Sequence, residues 1–145
     1  MPAVVYIPPG TYLVSTAIID YYYTQIIGNP NCMPTLLASP AWAAGPGNIG
    51  MIEGDPYTSA NLGFGATDIF YRQIRNIIFD MTMVPTAGAI TGVHWPTAQA
   101  TSIQNCVFRM SDAPGVAAQG IFLESGSAGF MTVSVQQCLD VSQCG

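Results

Sequence analysis

The sequence predicts an all-β fold, a right-handed parallel β-helix, and three observations predict it. Apolar runs of four to six residues, rich in Val, Ile, Phe and Tyr, alternate with clusters of Gly, Pro, Asn and Ser, which are strand and turn signals. The chain also repeats itself. Ile74-Arg75-Asn76-Ile77-Ile78-Phe79-Asp80-Met81 returns 29 residues later as Ile103-Gln104-Asn105-Cys106-Val107-Phe108-Arg109-Met110, and Gly92-Val93-His94-Trp95 returns 28 residues later as Gly120-Ile121-Phe122-Leu123. Finally, the apolar positions lack the i, i+3, i+4, i+7 pattern that stacked helices would show. Repeats of this length mark a solenoid, whose units bury their apolar faces by stacking on their neighbours.

The elements follow in order. Strands centre near Tyr6, Ile26 and Ile52, and later ones cover the two repeated segments. The register predicts about five coils, with Ile78 stacked near Val107 and Asn76 near Asn105. The two asparagines suit either a short amide ladder or a left-handed turn, which Asn tolerates well. Cys106 lies between apolar neighbours and reads as a small buried hydrophobe. The repeat places Met131 opposite Ile103, and after Thr132 the expected residues fail to appear. The expected organisation is therefore an incomplete β-helix domain over 1–132 and a non-homologous tail over 133–145. Met1 leads directly into a strand-like run, so no signal peptide is read in this chain.

Composition excludes several classes. The chain carries no lysine and three arginines against eight acids, a net charge of −5, and only 8% of its residues are charged. A nucleic-acid backbone binder needs clustered Lys and Arg, so no nucleic-acid partner is expected. No apolar run approaches the ~18 residues of a membrane helix, so no membrane partner is expected. The four cysteines (Cys32, Cys106, Cys138, Cys144) have no metal-ligand spacing, and the single His94 excludes a histidine cluster, so no metal is expected.

Gly45-Pro46-Gly47-Asn48-Ile49-Gly50 matches a dinucleotide fingerprint literally. No helix can follow it, and Pro46 removes an amide donor, so it reads as a loop. His94 reads as a packed or hydrogen-bonded structural histidine. Glu53 and Asp55 lie in a turn context, whereas Glu124, in a polar turn after a strand, is the better site carboxylate. Gln99 and Ser127 each stand seven residues after the repeated glycines Gly92 and Gly120, which makes them neighbours on stacked coils. An amide beside a hydroxyl can orient a water or a sugar hydroxyl. Trp95 and the run Tyr21-Tyr22-Tyr23 suit sugar stacking or, as the default, core and inter-coil packing.

Four segments in order carry a resemblance: Tyr6-Ile7-Pro8-Pro9-Gly10-Thr11-Tyr12, Tyr71-Arg72-Gln73-Ile74-Arg75-Asn76, His94-Trp95-Pro96-Thr97-Ala98-Gln99-Ala100-Thr101 and Gly120-Ile121-Phe122-Leu123-Glu124-Ser125-Gly126-Ser127. From about Pro2 to Thr132 the chain closely resembles the N-terminal β-helix of glycoside hydrolase family 55, exo-β-1,3-glucanases of the pectate-lyase-like superfamily. The resemblance implies extracellular, inverting hydrolysis of β-1,3-glucan without a cofactor or metal. It implies water positioning by Gln99 and Ser127, substrate contacts from Trp95, Glu124 and Ser125, and a general acid supplied by a second β-helix domain with no counterpart in this chain. The expectation is a glucanase fragment, inactive alone. The alternatives are a non-catalytic carbohydrate-binding or structural β-helix, or a pectin-degrading lyase or hydrolase of the same superfamily.

Overall fold

A computed structural model describes residues 2–56, 63, 69–85, 88–96 and 99–124, and the backbone of 128–137. Among the described residues twelve strands follow in chain order: β1 Ala3–Ile7, β2 Thr11–Val14, β3 Ile18–Ile19, β4 Thr24–Gly28, β5 Thr35–Ala38, β6 Gly50–Glu53, β7 Gln73–Arg75, β8 Ile78–Asp80, β9 Ala89–His94, β10 Gln99–Met110, β11 Ala117–Phe122 and β12 Ala128–Gln137. Every pairing between them is parallel and joins strands on adjacent coils. Three columns result. β1, β4, β7 and the first halves of β10 and β12 form the first, β2, β5, β8 and the second halves of β10 and β12 the next, and β3, β6, β9 and β11 the third. The described residues thus form a parallel β-helix of four coils, with the first two columns of a fifth.

The repeat is legible because stacking demands it. Ile26, Ile74 and Ile103 stand one above another in the first column, and Leu36, Phe79 and Phe108 in the second. The third carries Ile52, Val93 and Ile121. The rings of Phe79 and Phe108 stack with centroids 4.9 Å apart and planes 6° apart. Each such buried side chain contributes roughly 1.5–3 kcal/mol. The same column positions in the first coil, Val5, Tyr12 and Ile18, are 47%, 37% and 39% exposed, because no described strand pairs with their outer side.

Ile78 pairs with Val107, as the 29-residue register predicts. Asn105 Nδ2 donates to Asn76 Oδ1 at 2.9 Å, and both residues have positive φ, 51° and 59°. Ladder and left-handed turn are therefore both present. Cys106 is buried, and burial pushes its thiol up to about 11, against partial opposition from backbone hydrogen bonds. The Gly45–Gly50 segment is a loop with left-handed glycines at 45 and 47 (φ 85° and 75°), and it runs directly into β6. Ile103 pairs with Met131, and β12 continues alongside β10 to Gln137. Residues 138–145 lie outside the described residues, and the division of the chain at 132/133 stays a proposal.

Candidate functional site

The third column ends in register at Ile19, Glu53, His94 and Phe122. The chain then turns a corner in each coil before starting the next. Backbone hydrogen bonds carry the stacking one residue past the strands: Asp20 N to Glu53 O at 2.9 Å, Gly54 N to His94 O at 2.9 Å and Trp95 N to Phe122 O at 2.8 Å. This corner collects most of the polar side chains of interest.

Glu53 and His94 are both fully buried, and His94 Nδ1 meets Glu53 Oε1 at 2.5 Å. Glu53 is itself fixed by amides: Ile49 N and Gly50 N donate to its Oε2 at 2.9 and 3.3 Å, and Asp55 N to its Oε1 at 3.0 Å. The other ring nitrogen of His94 lies 3.5 Å from Glu124 Oε1, whose side chain is 35% exposed. Phe122 stacks on the imidazole with a 5.4 Å centroid separation. Burial works against a charged imidazole, but the hydrogen bond and charge of Glu53, then the Glu124 carboxylate, outweigh it and raise the His94 pKa above its usual 6.5. The expected hydrogen-bonded structural histidine is therefore the coupling between a buried carboxylate and a surface one.

Beside it lies a second buried network. Arg72 is 0% exposed and donates from Nη1 to the carbonyls of Gly54 (2.6 Å) and Asp20 (3.0 Å), with Asp20 Oδ2 3.7 Å from its Nε. Burial pushes the Asp20 carboxyl up to about 7, with Arg72 pulling it back only in part. Burial likewise lowers the Arg72 pKa, opposed by the Asp20, Asp55 and Glu53 charges. The guanidinium covers the Trp95 ring at 4.2 Å from its centroid, and Trp95 Nε1 donates to Thr101 Oγ1 at 3.2 Å. Trp95 is only 2% exposed. This corrects the expectation of a sugar-contacting Trp95, because its ring face is taken by Arg72 and it packs as core.

Of the other anticipated site residues, Gln99 opens β10 at this corner, half-buried, with its backbone bridged to Phe70. The register pairs Gln99 with Ala128, since Ala100 is an extra residue on β10. Ser125 and Ser127 lie outside the described residues. Glu124 is at the corner and exposed. Tyr21 and Tyr23 are 61% and 40% exposed there, together with Tyr71 at 57%. Sequence reasoning missed Tyr71, the buried Arg72 and the coupling of Glu53 to Glu124. It also missed an open groove of about 510 Å³ on the third column, lined in part by Trp42, Asn48, Thr91, Gln119 and Phe122.

A stack of parallel coils joined at a polar, ion-paired corner belongs to the class of parallel β-helix solenoids. More narrowly, the chain matches over residues 1–145 the family described as rhamnogalacturonase A/epimerase, pectate lyase-like, and it belongs to that family. It is 46% identical over 132 residues to a glucan 1,3-beta-glucosidase of Cochliobolus carbonum, covering 90% of this chain and 16% of that protein. It is 44% identical over 135 residues to a probable glucan endo-1,3-beta-glucosidase of Arthroderma benhamiae, covering 90% of this chain and 15% of that protein. It is also 42% identical over 132 residues to a non-secreted LysM effector of Penicillium expansum, covering 90% of this chain and 9% of that protein. The chain thus spans about a sixth or less of the length of these curated relatives.

Proposed function

We propose that the chain is part of a β-1,3-glucanase and forms the water-side wall of its catalytic groove. The observation that carries this reading is the 46% and 44% identity, over 90% of the chain, to proteins named for β-1,3-glucan hydrolysis. Hydrolysis with inversion needs a carboxylate that takes the proton of a water on one face of the sugar and a carboxylic acid on the other, the two carboxyl groups roughly 6.5–9.5 Å apart. Gln99, with Ser127, would hold the water through an amide that both donates and accepts. Glu124 and Ser125 would contact the glucan, with Glu124 oriented by His94.

The acid would come from a second β-helix domain. Among the carboxyls of the described residues, Asp20, Glu53 and Asp55 are at most 2% exposed, and Asp80 faces Arg109 at 3.6 Å away from the corner. Asp112 lies in the connection between β10 and β11. Glu124 alone among them is exposed at the corner, and it stands on the wall that holds the water. One wall cannot serve both faces of the displacement. The 145 residues by themselves would therefore bind glucan without cleaving it, with no cofactor, and the whole enzyme would act extracellularly. The test is co-sedimentation of the purified chain with insoluble β-1,3-glucan, against cellulose and polygalacturonate. Retention on β-1,3-glucan alone is expected, and equal retention on all three, or on none, rejects the reading.

A further inference from the structure

Two corners of the solenoid turn through left-handed backbone, and the chain fills them differently. One stacks Asn76 on Asn105, at φ 59° and 51°. The other stacks Tyr23, Tyr71 and Ala100, at φ 57°, 59° and 51°. Asparagine adopts this conformation at little cost, whereas a bulky residue there is an outlier. The tyrosines are therefore not present for the sake of the turn, and strain of this kind collects at functional sites.

The register of the second corner is fixed by hydrogen bonds. Tyr23 N donates to Phe70 O at 3.3 Å and Tyr71 N to Gln99 O at 3.2 Å, so the three residues rise on successive coils. The rings of Tyr23 and Tyr71 stack, with centroids 5.9 Å and planes 27° apart, yet remain 40% and 57% exposed. They pack against each other in solvent and not in the core. On the next coil the left-handed position is held by Ala100, whose side chain is a methyl group. Among the described residues no ring continues the ladder, so a step one coil high, about 4.8 Å, stands above Tyr71. Gln99 borders it.

We propose that the Tyr71 ring and the step above Ala100 form a stacking subsite for one neutral glucosyl ring of a β-1,3-glucan chain, next to Gln99. The proposal rests on the glucan-facing reading of this corner. An aromatic face suits the C–H face of a pyranose, and the phenol tip suits its hydroxyls. A uronate ring fits poorly, because Glu124 is the exposed charge at the corner and the chain carries a net −5.

The test is calorimetric titration of the 145-residue chain with laminarihexaose. Tyr71→Ala should weaken binding about tenfold, a loss of about 1.4 kcal/mol. Ala100→Tyr should weaken it as much, by extending the ladder into the step at a φ that tyrosine already adopts on the two coils below. Met83→Ala, exposed in the turn after β8, should change nothing. Tyr71→Trp should retain binding, with its added indole fluorescence shifting on titration. Urea midpoints establish that each variant is folded, and should Tyr71→Ala fail to fold, Ala100→Tyr and Tyr71→Trp carry the test. Wild-type binding that neither Tyr71→Ala nor Ala100→Tyr weakens overturns the subsite while leaving the glucan reading intact. No wild-type binding at millimolar hexaose overturns both.

Discussion

Asn105 donates its side-chain amide to the side-chain oxygen of Asn76, one coil away and 29 residues earlier, at 2.9 Å. Asn76 passes the ladder on, donating to the Gly28 carbonyl at 3.2 Å. The two asparagines thus do two things at once: they accept a left-handed turn and tie three coils together.

The two roles separate by substitution. Asn105→Gly keeps the turn and loses the bond, and should cost about 1 kcal/mol. Asn105→Ala loses both, and should cost about 1–2 kcal/mol more. Urea denaturation measures both. Equal losses would show that the ladder alone matters.

Gly28 is where the first corner approaches the coil above. A Cβ there would run into the Asn76 carbonyl oxygen and lie 2.6 Å from Pro34 Cδ. Both neighbours are rigid, so Gly28→Ala should destabilise by roughly 1–3 kcal/mol or more, as overpacking does. A melt within 1 °C of wild type would contradict the close stacking of these coils.

Stability should fall as pH rises. The folded His94 pKa lies above 6.5, so its contribution is complete below pH 6.5 and is lost as pH climbs through the folded value. The groups around it are Glu53 and Glu124. Asp20 acts in the same direction. With its carboxyl raised from 3.8 to about 7, the folded state binds the extra proton between these values, and stability declines across that window. Arg72 is the charge that faces it. Asp20→Asn should flatten the urea-midpoint profile between about pH 4 and 7, leaving the His94 component above it. An unchanged profile would show that Asp20 is solvated.

The two described cysteines should differ in reactivity. Cys32 is exposed, while Cys106 is buried with a thiol at about 11. The thiolate is the nucleophile, so iodoacetamide at pH 8 should label Cys32 within minutes and Cys106 only after denaturation. Site-resolved mass spectrometry reads the difference, and native labelling of Cys106 would mean that the third and fourth coils open readily.

The fold was legible where stacking imposes identity. Ile74 and Ile103, or Phe79 and Phe108, occupy one column, and one residue type fits both. The second coil was harder to align, because the long connection from Gly54 to Arg72 breaks the period. The corner was less legible still. Glu53, His94 and Glu124 are two residue types on three coils, and no repeat marks a contact between unlike side chains. Arg72 carries a charge, which usually signals surface, and its burial is explained by contacts with the carbonyls of Asp20 and Gly54, the Asp20 carboxylate and the face of Trp95. The same contact removed Trp95 from the surface, where its sequence context had allowed a sugar platform. Gln99 was singled out because it stands as far after Gly92 as Ser127 does after Gly120, whereas Tyr71 was passed over because the repeat puts Ala100 opposite it.

On the proposed reading these residues supply one face of an inverting site and leave the acid to another domain. The most direct measurement is glucose released from laminarin by the purified 145-residue chain, followed for hours by an enzyme-coupled assay. No release above the blank is expected, because no carboxyl of the described corner stands opposite Gln99. Steady release that disappears in Glu124→Gln would contradict it, by making Glu124 the acid and this wall an enzyme by itself.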